Sequence, residues 1–246
     1  MNFKKNFKKI TALAAVMAMA LSMAACGADN AADNTDTAAE STSAAENAAE
    51  TAEILNFIPP EKGEKIAVMT VKDYGEIKIK LFPEAASKGV ENFIGLADMN
   101  YYDELIFHRV IPHFMDQGGD PQGTGMGGQS MWGGSFDGGI PEGLYHFSGA
   151  IAYANSGSTS TNGSQFYIVN TDEGECVSDV SSYPRNVQDM YKEKGGVLDG
   201  GYTVFGQVFD GMDVVRKIGQ VETDDNDKPL TQVQIETVRI VEYTGE

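Results

Sequence analysis

Little in this 246-residue chain could crosslink it, hold a metal or carry it through a bilayer. It has 2 cysteines, 1 tryptophan and 3 histidines. Two thiols cannot build a disulfide framework. His108, His113 and His146, taken with Cys176, lack any compact metal spacing, so no metal or cofactor is expected. Bases are also scarce, 18 Lys+Arg against 36 Asp+Glu, for a formal charge of −18. That imbalance argues against binding nucleic acid or anionic lipid by charge. The apolar run Ile10 to Ala20 is too short to span a membrane as a stable anchor. No Gly-x-Ser-x-Gly occurs, which leaves an elbow-type serine hydrolase unsupported. Gly123-x-Gly125-x-x-Gly128 has further glycines after it and no helix pattern opening on it, so it reads as a loop.

What is present falls into three segments. Residues 1–25 carry Lys4, Lys5, Lys8 and Lys9 with no acid, then the short apolar run, then small residues before Cys26. This is the pattern of a secretory signal. Leu21-Ser22-Met23-Ala24-Ala25-Cys26 resembles a bacterial lipobox, although Met23 stands where leucine is commonest. The expectation is a signal peptide over 1–25 and lipidation of Cys26. That would leave the protein anchored to the extracytoplasmic face of a bacterial cell membrane by lipid alone. Residues 26–53 form an acidic tether: seven acids, no base, and otherwise small residues with nothing to bury. As a flexible coil the 27 residues from Gly27 to Glu53 span roughly 30 Å.

Residues 54–246 are the expected folded domain, a single one. Ile66 to Val71 is nearly all apolar, and after the turn at Asp73-Tyr74-Gly75, Ile77, Ile79 and Leu81 alternate with charged residues. Further strands are expected at Ile106–Ile111, Ala150–Ala154, Gln165–Val169, Thr203–Phe209 and Val233–Val241. In the last of these the apolar phase switches, which predicts a bulge near Thr237. Pro83 is expected to open a helix with Ala86, Val90, Phe93, Ile94 and Ala97 on one face. Shorter helices fit Asn186–Lys194 and Met212–Ile218. Many short strands with few helices point to a mainly β, closed antiparallel barrel.

Four blocks follow one another in this domain. Phe107-His108-Arg109-Val110-Ile111-Pro112-His113-Phe114-Met115-Asp116-Gln117-Gly118-Gly119-Asp120 leads into Gly123-Thr124-Gly125. Ala154-Asn155-Ser156-Gly157 comes next, then Thr161 to Ile168, then Leu198-Asp199-Gly200 with Val204-Phe205-Gly206. In this order the blocks closely resemble the cyclophilin family of peptidyl-prolyl cis-trans isomerases over about Ile66 to Glu242. The resemblance implies an eight-stranded barrel capped by two helices, with a helical insertion between Asn170 and Gly196. It also implies isomerisation of X–Pro bonds without a cofactor. Its substrates would be Pro-containing polypeptides, among them unfolded or partly folded secreted proteins, and the chain is expected to be a monomer.

The chemistry suits these residues. An X–Pro bond rotates over a barrier of ~18–20 kcal/mol set by amide resonance, and no nucleophile is needed to lower it. A guanidinium beside an apolar slot can hydrogen-bond the twisted amide at any ordinary pH. By resemblance Arg109 takes this catalytic role and Gln117 bonds the substrate backbone beside it. Phe114, Met115, Tyr167 and Leu198 line the proline pocket, with Ile111, Val197 and Tyr202 also assigned to substrate binding. Ala154 and Asn155 hold the peptide main chain, and Gln165 supports Arg109. Val197 and Tyr202 depart from the tryptophan and histidine common in eukaryotic members; because Val197 removes a large indole from the pocket rim, cyclosporin-type ligands are expected to bind poorly. The alternative to an enzyme is a non-catalytic module that holds Pro-containing segments; retention of Arg109, Phe114, Met115 and Gln117 together favours turnover.

Overall fold

A computed structural model describes residues 51–197 and 200–245. The expected signal peptide, Cys26 and most of the tether lie outside the described residues, as does Leu198. Among the described residues no helix is long and apolar enough to cross a membrane.

Nine strands form one antiparallel sheet: β1 (Lys65–Val71), β2 (Gly75–Leu81), β3 (Ile106–Phe107), β4 (Arg109–Ile111), β5 (Met115–Gly118), β6 (Ala150–Tyr153), β7 (Phe166–Val169), β8 (Val204–Asp210) and β9 (Val233–Glu242). Their order is β3-β9-β1-β2-β8-β6-β7-β5-β4. The two ends of that order are neighbours in the chain, separated only by His108. The expected strand Ile106–Ile111 therefore exists as two halves, one paired to β9 and the other to β5. This break at His108 accounts for nine strands where eight were expected, and the chain itself joins the two ends of the barrel. The bulge is present one residue from the expected place: Thr70 pairs with Thr237 but Val71 with Ile235, so Glu236 is the extra residue.

Among the described residues three α-helices accompany the barrel. Helix α1 (Ser87–Asp98) begins four residues later than Pro83, because Phe82 to Ala86 forms a turn closed by the Ala86 N–H donating to the Phe82 carbonyl. Its Val90, Phe93, Leu96 and Ala97 are buried, and it packs against β8 and β9. The Phe93 ring meets Tyr102, Phe166 and Phe205 with centroids 5.1–5.9 Å apart, giving the core an aromatic centre. Helix α3 (Met212–Ile218) packs on β2.

Helix α2 (Arg185–Lys194) is the expected helical insertion, and it builds a second, smaller core. Val187 and Tyr191 pack there with Phe147, joined by Ala52 and Ile54. Asn186 grips the Ala52 backbone twice, accepting from its N–H at 2.9 Å and donating to its carbonyl at 2.7 Å. Contact with the domain thus extends at least two residues ahead of Ile54.

Candidate active site

Strand register brings sequence-distant residues into one row. Arg109 on β4 pairs with Gln117 on β5, Gln117 pairs with Tyr167 on β7, and Tyr167 pairs with Ala152 on β6. Paired residues project from the same face. Met115 shares that face, two residues before Gln117, while Asp116 between them points the other way, buried against Asn170. The turn from Pro112 to Phe114, with His113 at φ 57°, carries Phe114 to the end of the row.

The result is a groove of about 600 Å³. Of the residues the sequence singled out, Arg109, Phe114, Met115, Gln117, Ala154, Asn155, Tyr167, Val197 and Tyr202 line it. Gln165 stands behind, accepting from Gln117 Nε2 at 2.9 Å and donating to the Gly127 carbonyl at 2.8 Å, so it fixes the Gln117 carboxamide. Ile111 packs half-buried against the core and is not among the lining residues. Asn155 spends its side chain on the far rim: Nδ2 donates to the Gly201 carbonyl at 2.6 Å, beside Tyr202.

One wall is aromatic. Tyr167 stacks on His146 with centroids 6.0 Å apart, and Tyr202 meets Tyr167 edge-on at 5.6 Å. His146 carries no signal in sequence that would place it there. The opposite end is polar, with His108, Thr124, Asn226 and Lys228. Burial pushes the His108 imidazole below its usual range, outweighing the nearby Asp120 carboxylate, so the ring is neutral at pH 7. Asp120 shapes the floor. Burial alone would raise its carboxyl, but bonds from the backbone N–H groups of Gln122, Thr124, Gly125 and Gly127 hold it below the usual range. Gly119 is required where this loop leaves β5: its φ is +84°, and a Cβ there would lie 2.5 Å from the Ser164 carbonyl oxygen.

Sequence reasoning also missed the partner of Arg109. Its Nε and Nη2 each lie 3.1 Å from Asp227 Oδ2, 118 residues along the chain. No periodicity links the two positions. Elsewhere, ligand atoms of His113, Asp172 and Glu175 lie within 4.8 Å of one another. His113 and Glu175 are exposed and Asp172 half-buried; His113 Nδ1 lies 2.7 Å from Glu175 and 3.7 Å from Asp172, which also meets Arg216, so contacts among these side chains account for their proximity.

The groove offers a cation, carboxamides and apolar rings, the equipment for holding and polarising a peptide. Comparison with known proteins identifies the family. Residues 66–240 match the family model described as cyclophilin type peptidyl-prolyl cis-trans isomerase/CLD. A Staphylococcus aureus protein provisionally named as a peptidyl-prolyl cis-trans isomerase is 43% identical over 188 residues, 74% of this chain and 94% of that protein. A Streptococcus pyogenes protein, provisionally named as a bifunctional phosphatase/peptidyl-prolyl cis-trans isomerase, is 44% identical over 185 residues. That match covers 72% of this chain but only 39% of the streptococcal protein. Among solved structures, a Cryptosporidium parvum cyclophilin type isomerase crystallised in the presence of the dipeptide Ala-Pro superposes with a TM-score of 0.57. It is 32% identical, and the match covers 72% of this chain and 99% of that one. The chain therefore belongs to the cyclophilin-type peptidyl-prolyl cis-trans isomerases.

Proposed function

We propose that this protein accelerates X–Pro rotation in polypeptides folding outside the cytoplasm, with Arg109 stabilising the twisted amide over an apolar proline pocket. The observation that carries the reading is the pairing of Arg109 with Gln117 on adjacent strands, beside Phe114, Met115 and Tyr167. A proline ring seated against those three side chains fixes one side of the amide. Gln117, itself held by Gln165, orients the backbone on the other side. As the C–N bond twists, resonance is lost and the prolyl nitrogen regains its lone pair. A guanidinium N–H can donate to that nitrogen only then, so the contact favours the twisted over the planar amide. The cation keeps its charge through the working pH range.

The cellular setting is part of the same proposal. The lipobox-like end of the signal and the acidic tether support a lipid-anchored enzyme outside the cytoplasm. There, X–Pro exchange lasting tens to hundreds of seconds limits the folding of secreted chains.

The test is turnover of an Ala-Pro-Phe peptide by the full-length chain in detergent, in a protease-coupled assay. Arg109→Ala should lower kcat/KM about 10²–10³-fold, the usual loss for one preorganised transition-state donor. A parent rate equal to the thermal rate would leave a binding module. An Arg109→Ala rate equal to the parent would remove Arg109 from the mechanism while leaving the activity in place.

A further inference from the structure

The loop between α3 and β9 brings a carboxylate to the catalytic cation. Asp227 Oδ2 accepts a hydrogen bond from Arg109 Nε at 3.1 Å and forms an ion pair with Nη2, also at 3.1 Å. One oxygen thus grips one edge of the guanidinium. Nη1 has no hydrogen-bond partner among the described residues, so both of its N–H groups remain for an acceptor in the groove.

This arrangement is built into the loop. The Asp224 N–H donates to the Lys228 carbonyl at 2.9 Å, and Thr223 bridges to Pro229. Asp224 Oδ1 accepts from the N–H groups of Asn226, at 2.8 Å, and Lys228, at 3.0 Å. The Asp227 carbonyl accepts from the Val110 N–H at 2.8 Å, so the loop is bonded to β4 at the residue next to Arg109. Asp227 itself has φ 63°, in the left-handed region that aspartate and asparagine enter more readily than most residues. The backbone therefore fixes where the carboxylate stands before any substrate arrives.

We propose that Asp227 is a positioning residue for the isomerase reaction, holding the Arg109 guanidinium by its Nε–Nη2 edge so that Nη1 meets the twisting amide. The inference rests on the reading of Arg109 given above. The Arg109 side chain is 44% exposed on a flexible stem. Released from Asp227, it would spread over many rotamers, and each turnover would have to find the productive one. Misplacing a reacting group by about 1 Å can cost up to about 10²-fold in rate. The loss expected here is smaller, because the groove still confines the arginine.

The substitution that tests this is Asp227→Gly, since glycine keeps φ 63° without strain whereas alanine would not. Asp227→Asn retains an acceptor oxygen and tolerance of the left-handed backbone. Expected are a kcat about tenfold lower for Asp227→Gly, with KM changed less than twofold, and a kcat within about threefold of the parent for Asp227→Asn. The double variant Arg109→Ala with Asp227→Gly should be no slower than Arg109→Ala alone, whereas general damage to the fold would slow it further. If Arg109→Ala is crippled but Asp227→Gly stays within twofold of the parent, or runs faster, the role of Asp227 is overturned and that of Arg109 survives. If Arg109→Ala is itself fully active, both fail together.

Discussion

Replacing Asp116 by asparagine should make the protein progressively more stable than the parent as the pH rises. Asp116 is 1% exposed on β5, between two groove residues but facing away from the groove. Its Oδ1 accepts from Asn170 Nδ2 at 2.7 Å, while its Oδ2 and Asn170 Oδ1 both lack partners among the described residues. Two orphaned acceptors in one buried pair are best satisfied by a proton on the carboxyl. Burial accordingly pushes the Asp116 carboxyl up to about 8, against the opposing bond from Asn170. An unfolded chain releases that proton near pH 4. Between these values the native state binds one proton more than the unfolded state, so stability falls with pH by about 1.4 kcal/mol per unit. The contribution is complete below about pH 4 and lost as pH rises through about 8. From pH 5 to pH 8 the loss is about 4 kcal/mol, a large share of the ~5–15 kcal/mol that holds a domain folded. Asparagine matches the neutral acid in shape and offers Asn170 a donor, so the two proteins should be nearly equal at pH 5. Urea unfolding followed by circular dichroism at several pH values gives the difference directly. It should climb by about 1.4 kcal/mol per unit to near pH 8 and then level off. A difference that stays flat from pH 5 to pH 8 would refute the reasoning, because Asp116 would then be ionised in the native protein.

Three further outcomes follow, two from described contacts and one from the sequence. Gln165→Ala should lower kcat/KM about three- to tenfold with little change in melting temperature, since it frees the Gln117 carboxamide without opening the core; an unchanged rate would show that Gln117 needs no support. Gly206→Ala should destabilise by about 1–3 kcal/mol or more, because a Cβ would lie 2.8 Å from both Ile151 Cγ2 and the Lys80 carbonyl oxygen and 2.9 Å from Ile79 Cγ2. Thermal melting reads that loss, while the rate per folded molecule should hold. Cys26→Ser should move the protein from the membrane fraction to the soluble fraction, and a variant that stays with membranes would argue against a lipid anchor at Cys26.

The barrel was readable wherever apolar residues alternate or run together, as in β1, β2 and β9. Strand β5 was not, because Met115-Asp116-Gln117-Gly118 has no apolar period; its ladder comes from β4 and β7 on either side. The break at His108 was equally hidden, since Ile106 to Ile111 reads as one strand and only the change of partner from β9 to β5 divides it. Most residues of the groove were legible through their ordered blocks, which the register then gathers onto one face. Asp227 and His146, which support the groove from behind Arg109 and Tyr167, were not, because an ion pair 118 residues apart and a loop ring stacked on a strand residue leave no local pattern. The docking of Ala52 by Asn186 escaped for the same reason.

A barrel whose two ends are joined through a single histidine has a consequence for the company this protein keeps. Partly folded polypeptides carry unpaired strands that add readily to any exposed sheet edge. Here the terminal strands are two and three residues long, and the Val110 N–H of β4 is already taken by the Asp227 carbonyl. At this seam the two terminal strands offer almost no ladder for an added strand. If, as proposed above, the protein meets partly folded chains, these short closing strands would favour their capture in the groove over strand addition at this seam.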